Sequence, residues 1–364
     1  KNAPERRNKD KIVITNPCVI GETEILTKEG YERIDTLINK EIEIWNGFEW
    51  STVIPKLTGN NQEVVTVTFN NGLSLTCTKY HEFEIALNYN GDTKTVIGKD
   101  LEIGMKLIKH DFPIIENGFD LKNPYTNGFV AAEGMELNKN LYIYEPKNVC
   151  IPRLTGVKKI AQDFSNNRVR ITLEEIPLSK SFVPLDYNLK SKLDWLAGLF
   201  DGDGCELKEG GLQLCSVNKP FLYLVQKLLT TLGSASKIVF GKHAGYKDLP
   251  NHKGGNSSYF CQEIYRICIG AVQIQKLKNL GLKCERLKFE KIPQRDASQF
   301  VTVVDITDSG IADNVYCFNE PKRHFGIFNG ILTRQCGEVS LRDQQCCNLS
   351  EVVIKENDDL ESLL

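Results

Sequence analysis

One pattern occurs twice in this 364-residue chain, as Gly128-Phe129-Val130-Ala131-Ala132-Glu133-Gly134 and as Gly198-Leu199-Phe200-Asp201-Gly202-Asp203-Gly204. Both stretches present a helical face of small and apolar residues that closes on an acid followed by glycine. Each is followed, at a variable distance, by a lysine and a proline: Lys180-Ser181-Phe182-Val183-Pro184 and Lys291-Ile292-Pro293. Two copies of one unit predict a pseudo-twofold arrangement.

The flanks read differently. From Cys18 to about Leu107 the chain is made of short alternating runs broken by Gly and Asn, among them Val64-Val65-Thr66-Val67-Thr68-Phe69 and Leu73-Ser74-Leu75-Thr76. Asn70-Asn71-Gly72 between those runs predicts a type I′ hairpin, whose two central residues need positive φ. A second β region returns at Phe300-Val301-Thr302-Val303-Val304, Asn314-Val315-Tyr316-Cys317-Phe318 and Gly326-Ile327-Phe328. Between the two, Leu193–Phe200 and Pro220–Leu232 have helical spacing and Arg168–Leu173 reads as a strand. The sequence therefore predicts an α/β module inserted into an all-β module, in keeping with the two or three domains expected at about 150 residues each.

The net charge of −2 conceals an asymmetry. Leu121–Phe300 holds 26 Lys+Arg against 17 Asp+Glu, a balance of +9, and the remainder is −11. A basic middle between acidic flanks points to a polyanion as partner of the middle alone. Apolar residues at 41% and charged residues at 25% are globular values, so disorder is excluded as the general state. No window has the 18 or so apolar residues of a spanning helix and the start is no signal peptide, so the expected location is intracellular, with no membrane partner. The chain opens without Met, in mid-sequence, as a piece of a larger protein would. Its 12 cysteines are scattered and form no Cys-x-x-Cys clip, so reduced thiols are expected rather than a disulfide or zinc framework.

Leu196-Ala197-Gly198-Leu199-Phe200-Asp201-Gly202-Asp203-Gly204 resembles the signature of the LAGLIDADG (DOD-type) homing endonucleases. Ala197, Gly198 and Gly202 would let two helices approach closely, and the last acid would emerge at the helix end. The resemblance implies that Glu133 and Asp203 meet on the symmetry axis and hold Mg²⁺ or Mn²⁺ between the scissile phosphates of double-stranded DNA. Lys180 and Lys291 fall near where the family places a basic residue. The first copy departs from the pattern, with Thr126 and Asn127 for the leading apolar pair and Glu133 for Asp, which leaves a decayed nuclease as an alternative.

Cys18-Val19-Ile20-Gly21-Glu22-Thr23-Glu24-Ile25-Leu26-Thr27 resembles the start of an intein, and Thr78-Lys79-Tyr80-His81 its Thr-x-x-His block. Tyr316-Cys317-Phe318, His324-Phe325 and Asn329-Gly330-Ile331-Leu332-Thr333-Arg334-Gln335 before Cys336 resemble the C-terminal blocks. The resemblance covers Cys18 to Gln335, 318 residues. It implies that Cys18 attacks the Pro17 carbonyl with His81 as proton donor and Thr78 hydrogen-bonding the strained carbonyl. Cys336 would then take the acyl group, and Gln335 would cyclise to release the insert, with no cofactor. Inteins mostly end in His-Asn. Here Arg334 cannot shuttle a proton at neutral pH and Gln335 must close a six-membered ring, so His324 is the candidate assistant of release. Cys317 stands where the family carries Asp or Cys.

Removing Cys18–Gln335 joins Asn16-Pro17 to Cys336-Gly337-Glu338, which resembles the active-site loop of the ribonucleotide reductase large subunit, with Cys347 a redox partner there. The fold class expected is multi-domain. An all-β, horseshoe-like Hint splicing domain is built from residues 18–118 and 297–335, with an α/β two-repeat LAGLIDADG domain at 119–296 between them. Reductase fragments at 1–17 and 336–364 flank the whole, and the rest of the reductase chain is a partner. The rival readings are a reductase fragment with an inert insert and a hedgehog-like autoprocessing domain.

Overall fold

The computed structural model describes residues 17–88, 91–134, 139–250, 255–293 and 300–335. Asn16, Cys336, Glu338 and Cys347 lie outside the described residues.

Two apolar cores form from different parts of the chain. One draws Val19, Ile25, Val67, Phe69, Leu75 and Phe83 from the N-terminal flank and Val303, Tyr316, Phe328 and Ile331 from the C-terminal one. The other lies wholly within the middle and runs from Tyr125 through Trp195 and Phe200 to Phe289. The expected β module built from both ends, with an α/β module between, is therefore the observed arrangement.

In the β domain two long strands, Lys56–Phe69 and Val303–Cys317, run antiparallel from Lys56↔Cys317 to Phe69↔Val303. The short strand Val19–Ile20 is wedged against both this ribbon and Ser74–Thr78, with Val19 opposite Tyr316 on one side and Cys77 on the other. Alternation in Lys56–Phe69 buries Val65, Val67 and Phe69 on one face, as period 2 requires. The Asn70-Asn71-Gly72 turn differs from expectation. Only Gly72 has positive φ (+85°), and Gly72 N–H bonds the Phe69 carbonyl at 3.0 Å, so a three-residue loop with a glycine bulge replaces the type I′ turn. The two-residue Asn-Gly turn with both φ positive occurs instead at Asn329 (+48°) and Gly330 (+80°), joining Phe325–Phe328 to Ile331–Arg334.

Among the described residues the α/β domain has four α-helices, α1 (Pro124–Glu133), α2 (Leu189–Asp203), α3 (Lys219–Thr230) and α4 (Ala271–Asn279). Asn188 and Asn218 cap α2 and α3 by accepting from the Ser191 and Phe221 N–H groups. The α1–α2 contact is reciprocal. A Cβ on Gly128 would lie 1.8 Å from the Trp195 carbonyl oxygen, and one on Gly198 would lie 2.0 Å from that of Tyr125. Each glycine thus meets the residue three before the other, which is the pseudo-twofold relation the repeat predicts. Two sheets follow the helices, ordered Asn140–Ile143, Arg168–Leu173, Val157–Asp163 in one and Cys205–Glu206, Leu212–Ser216, Ile264–Ile269, Lys237–Lys242 in the other. Helix α3 rests on the β domain: Tyr223 Oη donates to the Gly72 carbonyl at 2.8 Å and Gln226 Nε2 to that of Asn71 at 3.1 Å.

Candidate active site

The pairing of Val19 with both neighbours sets Cys18 beside Cys317 and Thr78. Cys18 is buried, its N–H donates to Thr78 Oγ1 at 3.2 Å, and its carbonyl accepts from Thr78 N–H at 2.9 Å. This pairing sets Thr78 on the amide of the junction, where the resemblance implied the carbonyl. The Cys18 Sγ lies 3.0 Å from Thr58 Oγ1. A hydrogen bond with Cys317, then burial, push the Cys18 thiol well above its ordinary range, so it rests protonated.

Cys317 is also buried, and its Sγ lies 2.9 Å from the Pro17 carbonyl oxygen and 2.8 Å from Gln335 Oε1. The Pro17 carbonyl and the Gln335 side chain therefore meet at one thiol. Gln335 is buried. Its N–H bonds the His324 carbonyl at 2.7 Å, and its Nε2 has no partner among the described residues. His324 thus touches Gln335 through its backbone. Its ring, expected to assist release, makes no hydrogen bond to Gln335, and Nδ1 is unpartnered among the described residues.

His81 is fully buried. Desolvation drives its pKa down to about 3, opposed by the Cys18 backbone, so the ring is neutral. Its Nε2 lies 2.9 Å from Thr333 Oγ1 on the C-terminal strand. Beside Thr333, Arg334 Nε donates to Glu84 Oε2 at 2.6 Å, and Thr95 donates to the same oxygen at 3.0 Å. Burial pushes the Glu84 carboxyl up, but bonds from Thr93, Arg334 and Thr95 outweigh it and hold the group below the usual carboxylate value. Sequence reading missed Thr58, Glu84 and Thr333. Threonines in strands and a surface-type Glu carry no local signal, and only the fold brings them near Cys18, His81 and Gln335.

The second cluster lies where α1 and α2 end. Asp203 is hydrogen-bonded with Glu133. Desolvation first, then the Glu133 charge and that bond, raise its pKa to about 6, against the opposing charges of Lys147 and Lys180. Lys147, which sequence reading also missed, is ion-paired with Glu133 and lies 3.8 Å from Asp203. Lys180 thus lies within electrostatic reach of Asp203, whereas Lys291 Nζ bonds the Lys208 carbonyl at 2.9 Å rather than either acid. Asp201 has a different part. Fully buried, it accepts from Tyr125 Oη at 2.8 Å and from the Glu285 and Arg286 N–H groups, while the Arg286 guanidinium caps the α2 carbonyls. The atypical Thr126 and Asn127 have local partners as well: Thr126 Oγ1 exchanges bonds with the Thr155 backbone, and Asn127 Oδ1 accepts from Leu178 N–H. Along the sheets, Val169, Ile171, Leu214 and Ile267 turn inward, and the alternate positions Arg170, Gln213 and Arg266 turn outward.

Residues 190–280 match the family described as a LAGLIDADG-like domain. The chain carries a LAGLIDADG-like domain. Over 359 residues it is 34% identical to the ribonucleoside-diphosphate reductase large subunit of Invertebrate iridescent virus 6, covering 92% of this chain and 37% of that one. The chain thus spans little more than a third of the length of that relative. A solved Ssp DnaB mini-intein, variant M86, aligns with a TM-score of 0.33 at 9% identity, over 91% of this chain and 98% of that one. Mesophilic variants of the homing endonuclease I-DmoI align with a TM-score of 0.28 at 15% identity, over 44% of this chain and 94% of that one. The family match, the reductase relative and the convergent junction residues together fit an intein with a nested homing endonuclease. No described helix is long and apolar enough to cross a membrane.

Proposed function

We propose that the chain splices itself, excising Cys18–Gln335 and joining Pro17 to Cys336. The observation that carries this reading is the Cys317 thiol in contact with both the Pro17 carbonyl and Gln335 Oε1. In the first step Cys18 Sγ attacks the Pro17 carbonyl carbon, the C–N bond breaks, the leaving nitrogen takes a proton from His81, and the Cys18 thiol proton passes to His81 in its place. Cys317 and Thr78 hold the carbonyl and the amide of that junction, so charge developing on the oxygen has a donor in place. Cys336 then takes the acyl group from the Cys18 sulfur, which recovers a proton. Gln335 Nε2 attacks its own backbone carbonyl, closing the six-membered ring as the peptide bond to Cys336 breaks, and the freed Cys336 amine takes the acyl group from its own sulfur to make the Pro17–Cys336 amide. Once the Pro17 carbonyl has left, the single Cys317 S–H can donate to Oε1 and orient that amide, and the Arg334–Glu84 pair holds the strand that delivers it. The domain limits proposed are 18–118 and 297–335 for splicing and 119–296 for the nuclease. The separation of the two cores supports them.

The α/β domain is proposed to cut double-stranded DNA. Two facing carboxylates at one point, with no third acid, His or Cys among the described residues, suit a divalent ion completed by phosphate oxygens and water. Glu133 and Asp203 would hold Mg²⁺ or Mn²⁺, which when bound would supply charge neutralisation and water activation. Lys147 would leave Glu133 as the ion and a phosphate enter. The outward, exposed Arg170 lies on the surface available to phosphates. The partners proposed are an insert-free reductase coding sequence and the remainder of the reductase chain, in an intracellular setting that keeps the thiols reduced.

The test is mass spectrometry of freshly expressed chain, alone and with added thiol. Loss of the insert with appearance of the joined flanks is expected. Cys18→Ala should abolish both splicing and thiol-induced cleavage after Pro17, and cleavage persisting in that variant would refute the assignment.

A further inference from the structure

We infer that Lys227 and Thr230, on helix α3 of the inserted α/β domain, are positioning residues for release of the C-terminal flank: they brace the turn that launches the last strand, Ile331–Arg334, into Gln335. This rests on the splicing reading above and makes the insert a working part of the release step.

The inference starts from one face of α3. Tyr223, Gln226, Lys227 and Thr230 stand at i, i+3, i+4 and i+7, so they share a stripe of the helix. The other face, with Leu222, Val225, Leu228 and Leu229, is buried in the α/β core. The polar stripe bonds the β domain at every position. Tyr223 and Gln226 donate to the Gly72 and Asn71 carbonyls at 2.8 and 3.1 Å. Lys227 makes a half-buried ion pair with Glu24, and its ammonium lies 5.8 Å from the centre of the Tyr31 ring. Thr230 Oγ1 lies 3.0 Å from Tyr31 Oη. The Thr230 hydroxyl gives its one proton to the Lys227 carbonyl at 2.7 Å, so Tyr31 donates to Thr230.

These landing points converge on the Asn329-Gly330 turn. Glu24 brackets Asn329: its N–H donates to Asn329 Oδ1 at 2.9 Å, and its carbonyl accepts from Asn329 N–H at 2.8 Å. A Cβ on Gly330 would lie 3.6 Å from Tyr31 Oη and 2.8 Å from Cδ1 of Leu73, which follows Gly72. Asn329 Nδ2 donates to the Ser74 carbonyl at 3.2 Å. From this turn the hairpin runs in register from Phe328↔Ile331 to Phe325↔Arg334 and ends on the Gln335 N–H bond to the His324 carbonyl at 2.7 Å. A hydrogen-bonded hairpin moves as a unit, so a shift at the turn is carried to Gln335. Ring closure tolerates little of it, since a misplacement of about 1 Å can cost about 10²-fold in rate. Cys18 is seated differently, by the pairing of Val19 with Tyr316 and Cys77, and the bonds of α3 land elsewhere. The brace therefore acts on one junction and spares the other.

The experiment uses the full chain in two backgrounds. With Cys18→Ala, release of the C-terminal flank is followed by itself; with Gln335→Ala, thiol-induced cleavage after Pro17 is followed by itself. Lys227→Met together with Thr230→Val keeps the side chains close to their size and removes the charge and the hydroxyl. This pair is expected to slow release by at least about 5-fold and to leave thiol-induced cleavage unchanged. Release at the parental rate overturns the inference, and so does equal slowing of both steps, which is what a general loss of stability would give. Lys227→Glu should slow release and the exchanged pair Lys227→Glu, Glu24→Lys should recover it to within a few-fold; no recovery would count against the ion pair as the brace. Should the double substitution fail to fold, amide hydrogen exchange at Asn329 in the single Lys227→Met chain still decides the matter: faster exchange than in the parent is expected, and unchanged exchange refutes the brace. A parent chain that shows neither release nor thiol-induced cleavage would sink the splicing reading itself, while exchange at Asn329 would still report whether α3 holds the turn.

Discussion

Replacing Gly198 with Ala tests whether the two repeats are held together by backbone contact. The new Cβ would lie 2.0 Å from the Tyr125 carbonyl oxygen and 2.7 Å from the Phe129 nitrogen, both helix backbone with no rotamer to turn away. Ordinary contact begins near 3.4 Å, so α1 and α2 must part by more than about 1 Å. Overpacking of a core usually costs about 1–3 kcal/mol, and here the obstacle is backbone on a rigid element, so the upper end, about 3 kcal/mol, is expected. At about 2–4 °C per kcal/mol for a domain of this size, the α/β domain should melt about 6–12 °C lower. Of the three tryptophans, Trp195 is fully buried in the α1–α2 contact and Trp45 and Trp50 belong to the β domain. Fluorescence of a Trp45→Phe, Trp50→Phe chain, blocked in splicing by Cys18→Ala, therefore follows the α/β domain by itself. Parting the helices also separates Glu133 from Asp203, so DNA cleavage should fall with the melting temperature while splicing in the otherwise unmutated chain persists. A Gly198→Ala domain that melts within about 2 °C of its parent would refute the backbone-contact argument, whatever its cleavage activity.

Gln335→Ala should stop release of the C-terminal flank but leave thiol-induced cleavage after Pro17, whereas Gln335→Asn, closing a five-membered ring, should release at least as fast; gel and mass analysis of the accumulated species separate the two steps. Asp203→Asn should abolish Mg²⁺-dependent cutting of insert-free reductase DNA while binding survives and weakens steeply with salt, because phosphate contacts supply most of the affinity; cutting at an unchanged rate would remove Asp203 from the site. Lys147→Ala should lower the Mg²⁺ concentration needed for half-maximal cutting, because the ammonium paired with Glu133 no longer competes with the ion; an unchanged Mg²⁺ dependence would show that Lys147 does not compete. His81, neutral when folded with a pKa near 3, takes its proton more readily in the unfolded chain, so stability is full above pH 6.5 and is lost as pH falls toward 3. Between pH 6.5 and 4.5 this amounts to on the order of 2–3 kcal/mol; His110, lowered to about 4 by burial, adds in the same direction. His81→Gln should flatten the acid side of the stability curve by that amount, as measured by urea unfolding across pH.

What the sequence by itself determined about this protein is what depends on local order. The repeated glycine and acid pattern predicted two helices meeting closely with Glu133 and Asp203 at their ends, since helix spacing puts a fixed face together and only small residues admit a second backbone. The paired β regions predicted a domain assembled from both ends, because alternating apolar runs need partners to cover them. Local order misplaced the type I′ turn, which the two-residue Asn329-Gly330 loop adopts and the longer Asn70-Asn71-Gly72 loop does not. It also could not tell Asp201, buried in a web of bonds, from Asp203 by anything but position in the motif. Tertiary structure decided the partners. Cys317 reaches both junctions because Val19 pairs with Tyr316, a register set by burial of a sheet face across some 300 residues of chain. Lys147 opens a short 3₁₀ helix, and Glu84, Thr58 and Thr333 are ordinary residues in ordinary strands. Their chemistry arises only where desolvation makes one hydrogen bond or one charge matter, and desolvation is a property of the packed molecule, not of the order of its residues.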